Sequence, residues 1–363
     1  MSGYSLVKEF NSIKGSEFPW TVEVSKWAPQ KAIQDLGDAF KRFFKKTSRY
    51  PKFKKKSSSK TSFYLGLNAF KVTGKYLKVS KLAQPIKMAQ VVRFDGDVKS
   101  VVISRDACGD WYASFQVNLP EDYQDPRRCE STDMVGVDLG ISILATLSTG
   151  EKIENPKTLK NHERKLKRLQ RVVSRRKRGS SNRARARLRL ALAHRKVSRI
   201  RTNYLHCLTS RLVRIFRVIG VEDLNVRGMV RNRRLAKSIL DAAFREFRRQ
   251  VEYKSVLAGS NVAVAARFFP SSKTCSSCGH KITELPLHIR MWDCPACGAH
   301  HDRDVNAAIN LEHVAQSHWE TLNACGGGVR PPVQCPLRDV NRRQSSMKQE
   351  SDQSVNQSVC RES

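Results

Sequence analysis

The sequence predicts an α/β fold accompanied by an all-β unit, and three observations carry that prediction. From Ser62 to Leu119 the apolar residues alternate with polar ones at period two, as in SFYLG, FKVTGKYLKVSKL, MAQVVRF, SVVISRD and WYASFQVNL, separated by turns such as TGK and ACGD. From Met134 onward short apolar strand runs are interleaved with long helical ones, the pattern of a sheet covered by helices. Finally, Cys275 to Asn310 contain two CxxC pairs followed by Asp304 at the start of a helical pattern. A chain of 363 residues, 40% hydrophobic, is long enough for two or three cores.

In chain order, residues 2–46 read as a pair of amphipathic helices, with Ile33, Leu36, Phe40 and Phe43 at helical spacing. The basic, aromatic-bearing YPKFKKKSSS follows, either a phosphate-tracking loop or a solvated linker. The period-two segment then predicts a small antiparallel barrel or sandwich. Glu121 to Asp133, containing Pro126, reads as a linker between domains. MVGVDLGISILATLSTGEKIENP predicts two or three strands with tight turns and sets Asp138 among apolar neighbours. A carboxylate there must be paired, protonated or cation-bound, unless it merely caps the turn at Gly140.

Residues 160–201 carry eighteen Lys or Arg and one acid, Glu163, around an apolar stripe of Leu166, Leu169, Leu188 and Leu192. GSSN at 179–182 breaks this stretch into a helical hairpin. Its first arm presents Arg164, Lys165, Lys167, Arg168, Arg171 and Arg175. Its tip and second arm present Arg176, Lys177, Arg178, Arg183, Arg185 and Arg187. So many adjacent cations repel unless phosphates lie between them, which marks these twelve as nucleic-acid-binding. After a further helix to Ile215, the strand RVIGVED ends in Glu222 and Asp223, where open α/β sheets keep their ligands; a helix-capping role is the bland reading of Asp223. RNRRLAKSILDAAFREFRRQVEYKS reads as one long basic helix and NVAVAARFF as another buried strand.

The whole-chain balance, 67 Lys+Arg against 33 Asp+Glu, is +34, a surface that calls for a polyanion. No run of eighteen apolar residues and no signal-like N-terminal segment is present, so a cytoplasmic protein without membrane contact is expected. Cys275, Cys278, Cys294 and Cys297 form C-x2-C, fifteen residues, C-x2-C, the spacing of a closed tetrahedral structural zinc site. His280, His300 and His301 are spare ligands, nucleic-acid contacts or surface residues. In DRDVNAAIN the small Ala307 and Ala308 allow the helix opened by Asp304 to approach a sheet, bringing its carboxylate beside Asp138 and Glu222. Three converging carboxylates need a divalent cation such as Mg²⁺, and such a site suits phosphodiester hydrolysis by water.

The motifs VGVDLG, VEDLNVRGM, RRLAKSILDAAFREFRRQVEYKS, FFPSSKTCSSCGH and WDCPACGAHHDRDVNAAIN together resemble the TnpB (OrfB) family of bacterial insertion-sequence proteins, over a span ending near Leu311. The resemblance implies a RuvC-like (RNase H fold) nuclease domain over 134–316, with the basic hairpin at 160–201 and a zinc ribbon at 271–300. Before it the family carries a helical recognition-lobe segment, here 1–49, and a wedge-type β-barrel, here 50–125; residues 317–363 would be a disordered tail. The resemblance further implies a transposon-encoded endonuclease that cuts double-stranded target DNA under a guide RNA from the transposon end. Asp138, Glu222 and Asp304 would be its catalytic triad, binding Mg²⁺, with the four cysteines on zinc and Asp302 as a near neighbour. Compared with the family's usual beginning the chain is N-terminally short. The alternative expectation is therefore a catalytically silent nucleic-acid-binding remnant or repressor.

Overall fold

The computed structural model describes residues 3–53, 61–120, 123, 128–286 and 288–324, which fall into two units, one up to residue 123 and one from residue 124. Residues 54–59 of the basic loop, the linker around Pro126 and the expected disordered tail from Cys325 lie outside the described residues.

In the first unit, α1 (Gly3–Glu17) packs on α2 (Trp27–Phe44). The expected apolar stripe of α2 is only partly covered: Ile33, Phe40 and Phe43 are half-buried and Leu36 is exposed. At its start Trp27 lies edge-on to Tyr64 and against Gly66, where a side chain would collide with the indole. The strands are β1 (Ser62–Gly66), β2 (Phe70–Thr73), β3 (Tyr76–Val79), β4 (Ile86–Lys87), β5 (Asp97–Arg105) and β6 (Trp111–Asn118). They form two antiparallel three-stranded sheets, β1-β5-β6 and β2-β3-β4, around Leu65, Leu77, Val79, Val101 and Ile103. MAQVVRF, expected as a strand, is not one: pairing stops at Lys87, opposite Tyr76, and Val91 is exposed.

The second unit opens with the meander β7 (Met134–Leu139), β8 (Ile143–Leu147) and β9 (Lys152–Glu154). The basic hairpin follows as α3 (Thr158–Arg175) and α4 (Ser181–Ile215), separated by Gly179 at φ 85° with Ser180 capping α4 through Arg183 N. Then come β10 (Val218–Glu222), the short α5 (Val226–Met229), α6 (Ala236–Ala242), α7 (Phe244–Ala258) and β11 (Asn261–Ala265). The ribbon strands β12 (Met291–Asp293) and β13 (His300–Asp302) run directly into α8 (Arg303–Ala324). The sheet order is β11-β10-β7-β8-β9, with β11, β10 and β7 parallel and the β7-β8-β9 meander antiparallel.

Period two sorts the two central strands. Val135, Val137, Ile219 and Val221 join the core built by α4 and α7 around Leu205, Leu212, Phe247 and Val251. The alternate positions, Met134 and Val218, belong to the opposite layer with Ala315 of α8. On that second face, Gly136 and Gly220 are register partners, and a Cβ on either would lie 1.8 Å from Ala308 O or 2.0 Å from Leu311 O. The backbone of α8 therefore rests on the backbone of the sheet, and only glycine fits beneath it.

Four sequence expectations need correction. The further helix expected to end at Ile215 is not separate from the hairpin, because α4 runs unbroken to Ile215 and feeds Leu205, Leu208 and Leu212 into the core. The long basic helix is instead interrupted at Ala243, which takes a left-handed conformation (φ 54°) and turns Phe244 and Phe247 inward. Leu188 and Leu192 are exposed, while Ala186 and Val197 supply the buried positions of the hairpin arm of α4. Residues 317–324, assigned to the tail, continue α8 as helix.

Candidate active site and metal centre

Asp138 and Glu222 each stand one residue beyond the paired Val137 and Val221, on neighbouring parallel strands. Since they follow Gly136 and Gly220 by two residues, both face the layer occupied by α8. Asp304 precedes Ala308 by one helical turn, so the helix that covers Gly136 carries its first acid over the strand end bearing Asp138. The three carboxyls interact: burial first, then the charges of Glu222 and Asp304, push Asp138 up to about 7, while Arg303 and Arg290 pull the other way. The bland reading of Asp138 as a turn cap at Gly140 does not hold, since Gly140 N donates to Leu144 O.

The ribbon reaches back to two of the acids. Ser271, which is buried, donates its hydroxyl to Glu222 Oε1, and Arg290 Nη1 donates to Asp304 Oδ1 at 3.0 Å. Neither residue stands out in the sequence; Ser271 lies in the FFPSSKTCSSCGH motif, and that adjacency is the signal that could have found it. Asp302 has a structural role. Its Oδ1 accepts from the backbone N of Asp304 (3.0 Å) and Val305 (3.1 Å), capping α8, and its Oδ2 accepts from Lys152 at 2.6 Å. Burial alone would raise the Asp302 carboxyl, but Lys152 and the two amides outweigh it and hold the group below its usual range. Asp223 is not a helix cap either: Asn225 caps α5 through Gly228 N, and Asp223 is held by Arg267 and Arg248.

The four thiols of Cys275, Cys278, Cys294 and Cys297 all lie within 4.8 Å of one another. Two of the sulfur separations are 3.7 Å (Cys275–Cys297) and 3.6 Å (Cys278–Cys294). Four sulfurs bonded tetrahedrally to zinc at about 2.3 Å would stand roughly 3.8 Å apart, so the cluster fits a structural zinc site. Gly279 and Gly298, at φ 76° and 71°, make the tight turns whose N–H groups return to Cys275 O and Cys294 O. His301, expected as a spare ligand, a nucleic-acid contact or a surface residue, is not at the surface: it is buried beside Trp292 with Nε2 3.0 Å from Cys275 Sγ. His300 is exposed and paired with Asp293, and His280 is exposed. Asn306 and Asn310, one turn apart on α8 and both buried, donate their amides to Ser271 O and Thr274 O, while Asn306 Oδ1 accepts from Ser276 N. The base of the ribbon is thereby fastened to α8.

The basic hairpin stands as expected in charge. Arg164, Lys165, Lys167, Arg168, Arg171, Arg175, Arg176, Lys177, Arg178, Arg185 and Arg187 are exposed, and Arg183 is half-buried, donating to Arg176 O. Glu163 is taken by Lys167 and Lys237, whose hydrogen bonds hold it down to about 2.

A helix-covered mixed sheet with acids at its strand ends, interrupted before its last helix by a four-cysteine ribbon, defines a ribbon-bearing α/β protein of nucleic-acid-handling charge. Comparison with known proteins narrows this class. The OrfB_IS605 family model, described as "Probable transposase", matches residues 114–233, and the model "Cas12f1-like, TNB domain" matches residues 244–311. A Streptomyces pristinaespiralis protein named "Putative RNA-guided DNA endonuclease" is 40% identical over 340 residues, covering 93% of this chain and 81% of its own. InsQ of Escherichia coli K12, similarly named, is 31% identical over 343 residues, with coverages of 90% and 83%. A Cas12f1–sgRNA–target DNA complex shares 13% identity at a TM-score of 0.49, over 85% of this chain and 79% of that one. The chain belongs to the TnpB (OrfB) family of insertion-sequence proteins. Among the described residues no helix is long and apolar enough to cross a membrane.

Proposed function

We propose that the chain is a transposon-encoded, RNA-guided DNA endonuclease that hydrolyses phosphodiester bonds at Asp138, Glu222 and Asp304. The observation that carries this reading is the placement of Asp138 and Glu222 one residue beyond the paired Val137 and Val221, with Asp304 one helical turn before the Ala308 that rests on Gly136. In keeping with it, burial and the two other acids push the Asp138 carboxyl up to about 7. Carboxyls whose charges act on one another retain a proton or take up a cation, and hard oxygen donors select Mg²⁺ over a sulfur-seeking metal. When bound, Mg²⁺ supplies the positive charge that stabilises the attacking and leaving oxygens of an in-line displacement.

The chain's own groups have separate tasks. Asp138 and Glu222 present oxygens from two adjacent strand ends, and the Ser271 hydroxyl fixes the orientation of Glu222. Asp304 adds its oxygens from the first turn of α8, stabilised there by the helix N-terminus. Arg290 brings one guanidinium to the Asp304 side, where it can neutralise the carboxylate or meet the scissile phosphate. The exposed cations of α3 and α4 suit the backbone of a guide RNA or its heteroduplex, with sequence read by base pairing. The names of the relatives support guide RNA and target DNA as partners.

The test is to purify the chain with RNA from its transposon end and offer matched double-stranded DNA in Mg²⁺. Cutting that is lost in Asp138→Asn and Asp304→Ala, with RNA binding retained, is expected. RNA-dependent DNA binding without any cutting by the unaltered protein would instead mark a silent nucleic-acid-binding remnant.

A further inference from the structure

His301 is the middle residue of β13, and period two turns it into the ribbon while its neighbours face out, His300 to Asp293 and Asp302 to Lys152. Its ring lies 4.8 Å from that of Trp292, its register partner on β12, and only 8% of the residue is exposed. In that place its Nε2 stands 3.0 Å from Cys275 Sγ. A nitrogen so near a metal-binding sulfur is either a further ligand or a partner of the sulfur. Four thiolates complete a tetrahedral structural site and leave no position for a fifth donor, so the partner is the sulfur. A zinc-bound thiolate has no proton and can only accept. The hydrogen must then sit on Nε2.

Charge explains why the sulfur takes such a donor. Four thiolates on one Zn²⁺ leave two negative charges in excess, and burying that excess is costly unless donors face the sulfurs. Cys278 and Cys297 are exposed to solvent, whereas Cys275 is 1% exposed and depends on the protein. The amides of Ser277 and Cys278 donate to it from the turn that follows, and His301 donates from across the ribbon. Cys275 is also fastened to α8 through its neighbours. The Thr274 carbonyl before it accepts from Asn306 and Asn310, and the Ser276 amide after it donates to Asn306 Oδ1. Since β13 runs directly into α8, the Cys275 sulfur is bracketed by two routes to the helix that carries Asp304.

We propose that His301 is a positioning residue of the zinc site: its Nε2–H donates to the Cys275 thiolate, draws off part of the sulfur's charge and holds the metal to the strand that opens α8. The imidazole is not a ligand. The role does not depend on cutting by the acid cluster.

The experiment loads the full chain with Co²⁺ in place of zinc. The thiolate-to-metal charge-transfer band reads the energy of the sulfur electrons, and competition with a chromogenic chelator reads the affinity. Three variants separate the tasks of the ring. His301→Phe keeps an aromatic against Trp292 but has no donor; His301→Gln places an amide N–H near the position of Nε2, and His301→Asn places one near that of Nδ1. Losing the hydrogen bond raises the energy of the sulfur electrons. In His301→Phe the band should therefore move to longer wavelength, and metal affinity should fall about 10- to 100-fold. Glutamine should return both towards the original values and asparagine should not. An unchanged band and affinity in His301→Phe, or rescue by asparagine as complete as by glutamine, would overturn the proposal. An equal loss of metal in all three variants would also overturn it, because it would assign the ring to packing alone. A Co²⁺ spectrum without four-thiolate character in the unaltered chain would remove the zinc site and the proposal together.

Discussion

At the scale of single residues, Asp138 has a consequence for stability. Its folded value of about 7 lies above its ordinary 3.8, so between these values the folded chain keeps a proton that the unfolded chain has released. Stability of the metal-free protein is therefore expected to fall as pH rises from about 4 to about 7, by at most about 4 kcal/mol. Asp138→Asn should remove this dependence: its thermal midpoint should exceed that of the unaltered protein at pH 8 and match it near pH 4. A midpoint lowered at pH 8 would contradict the assignment of the shift. Gly136→Ala belongs to the same scale. Its Cβ would stand 1.8 Å from Ala308 O, and because that atom is backbone, the whole of α8 would have to move. A loss of about 3 kcal/mol or more is expected in chemical denaturation, together with loss of any activity that needs Asp304. Asp138 and Glu222 were legible as strand-end acids because a charge breaks an apolar run, and Asp304 because it opens the helical pattern that follows the second CxxC. The glycines' role was not, since a glycine in a strand run gives no sign of which helix lies over it. Ser271 and Arg290 were missed for a related reason: their partners are distant in sequence, and a serine or an arginine in a ribbon looks like surface until its partner is known.

At the scale of elements, the ribbon and α8 behave as one fastened piece. Asn306 and Asn310 hold the carbonyls of Ser271 and Thr274, and Asp302 closes the end of β13 onto the first turn of α8. Cys294→Ser, or removal of zinc by a strong thiol-competing chelator, should expose the backbone amides of residues 271–302 to hydrogen exchange. The five-stranded sheet should stay protected. Asp304→Ala should leave the ribbon protected, so the two variants differ in kind; exchange that spreads equally through the sheet in both would show that the ribbon is no separate unit. Asn310→Ala removes one of the two amide donors that the carbonyls of Ser271 and Thr274 share, Asn306 keeping the other, and is expected to cost about 1–2 kcal/mol. Strand and helix identities were readable from periodicity in β7, β8, β10, β11 and α8. The unbroken length of α4 and the break at Ala243 were not, because an alanine in a helical sequence adopts a left-handed turn only when tertiary packing favours it.

At the scale of the molecule, the charge of +34 sets how the protein meets its partners. Affinity for guide RNA should fall linearly with the logarithm of salt concentration. Replacing Arg164, Arg168, Arg171 and Arg175 by glutamine should flatten that line by about 0.7–0.9 for each phosphate that is no longer neutralised. An unchanged slope would remove the hairpin from the interface. A further property follows from the order of the three acids along the chain. Asp138, Glu222 and Asp304 come from β7, β10 and α8, and the last of them precedes a helix whose backbone must lie on Gly136 and Gly220 before its carboxylate is in position. A chain still emerging from the ribosome has its basic hairpin long before it has α8. The acid cluster is thus completed only when the last of the three segments has folded, and breaking the chain within the ribbon yields two fragments of which neither holds all three acids.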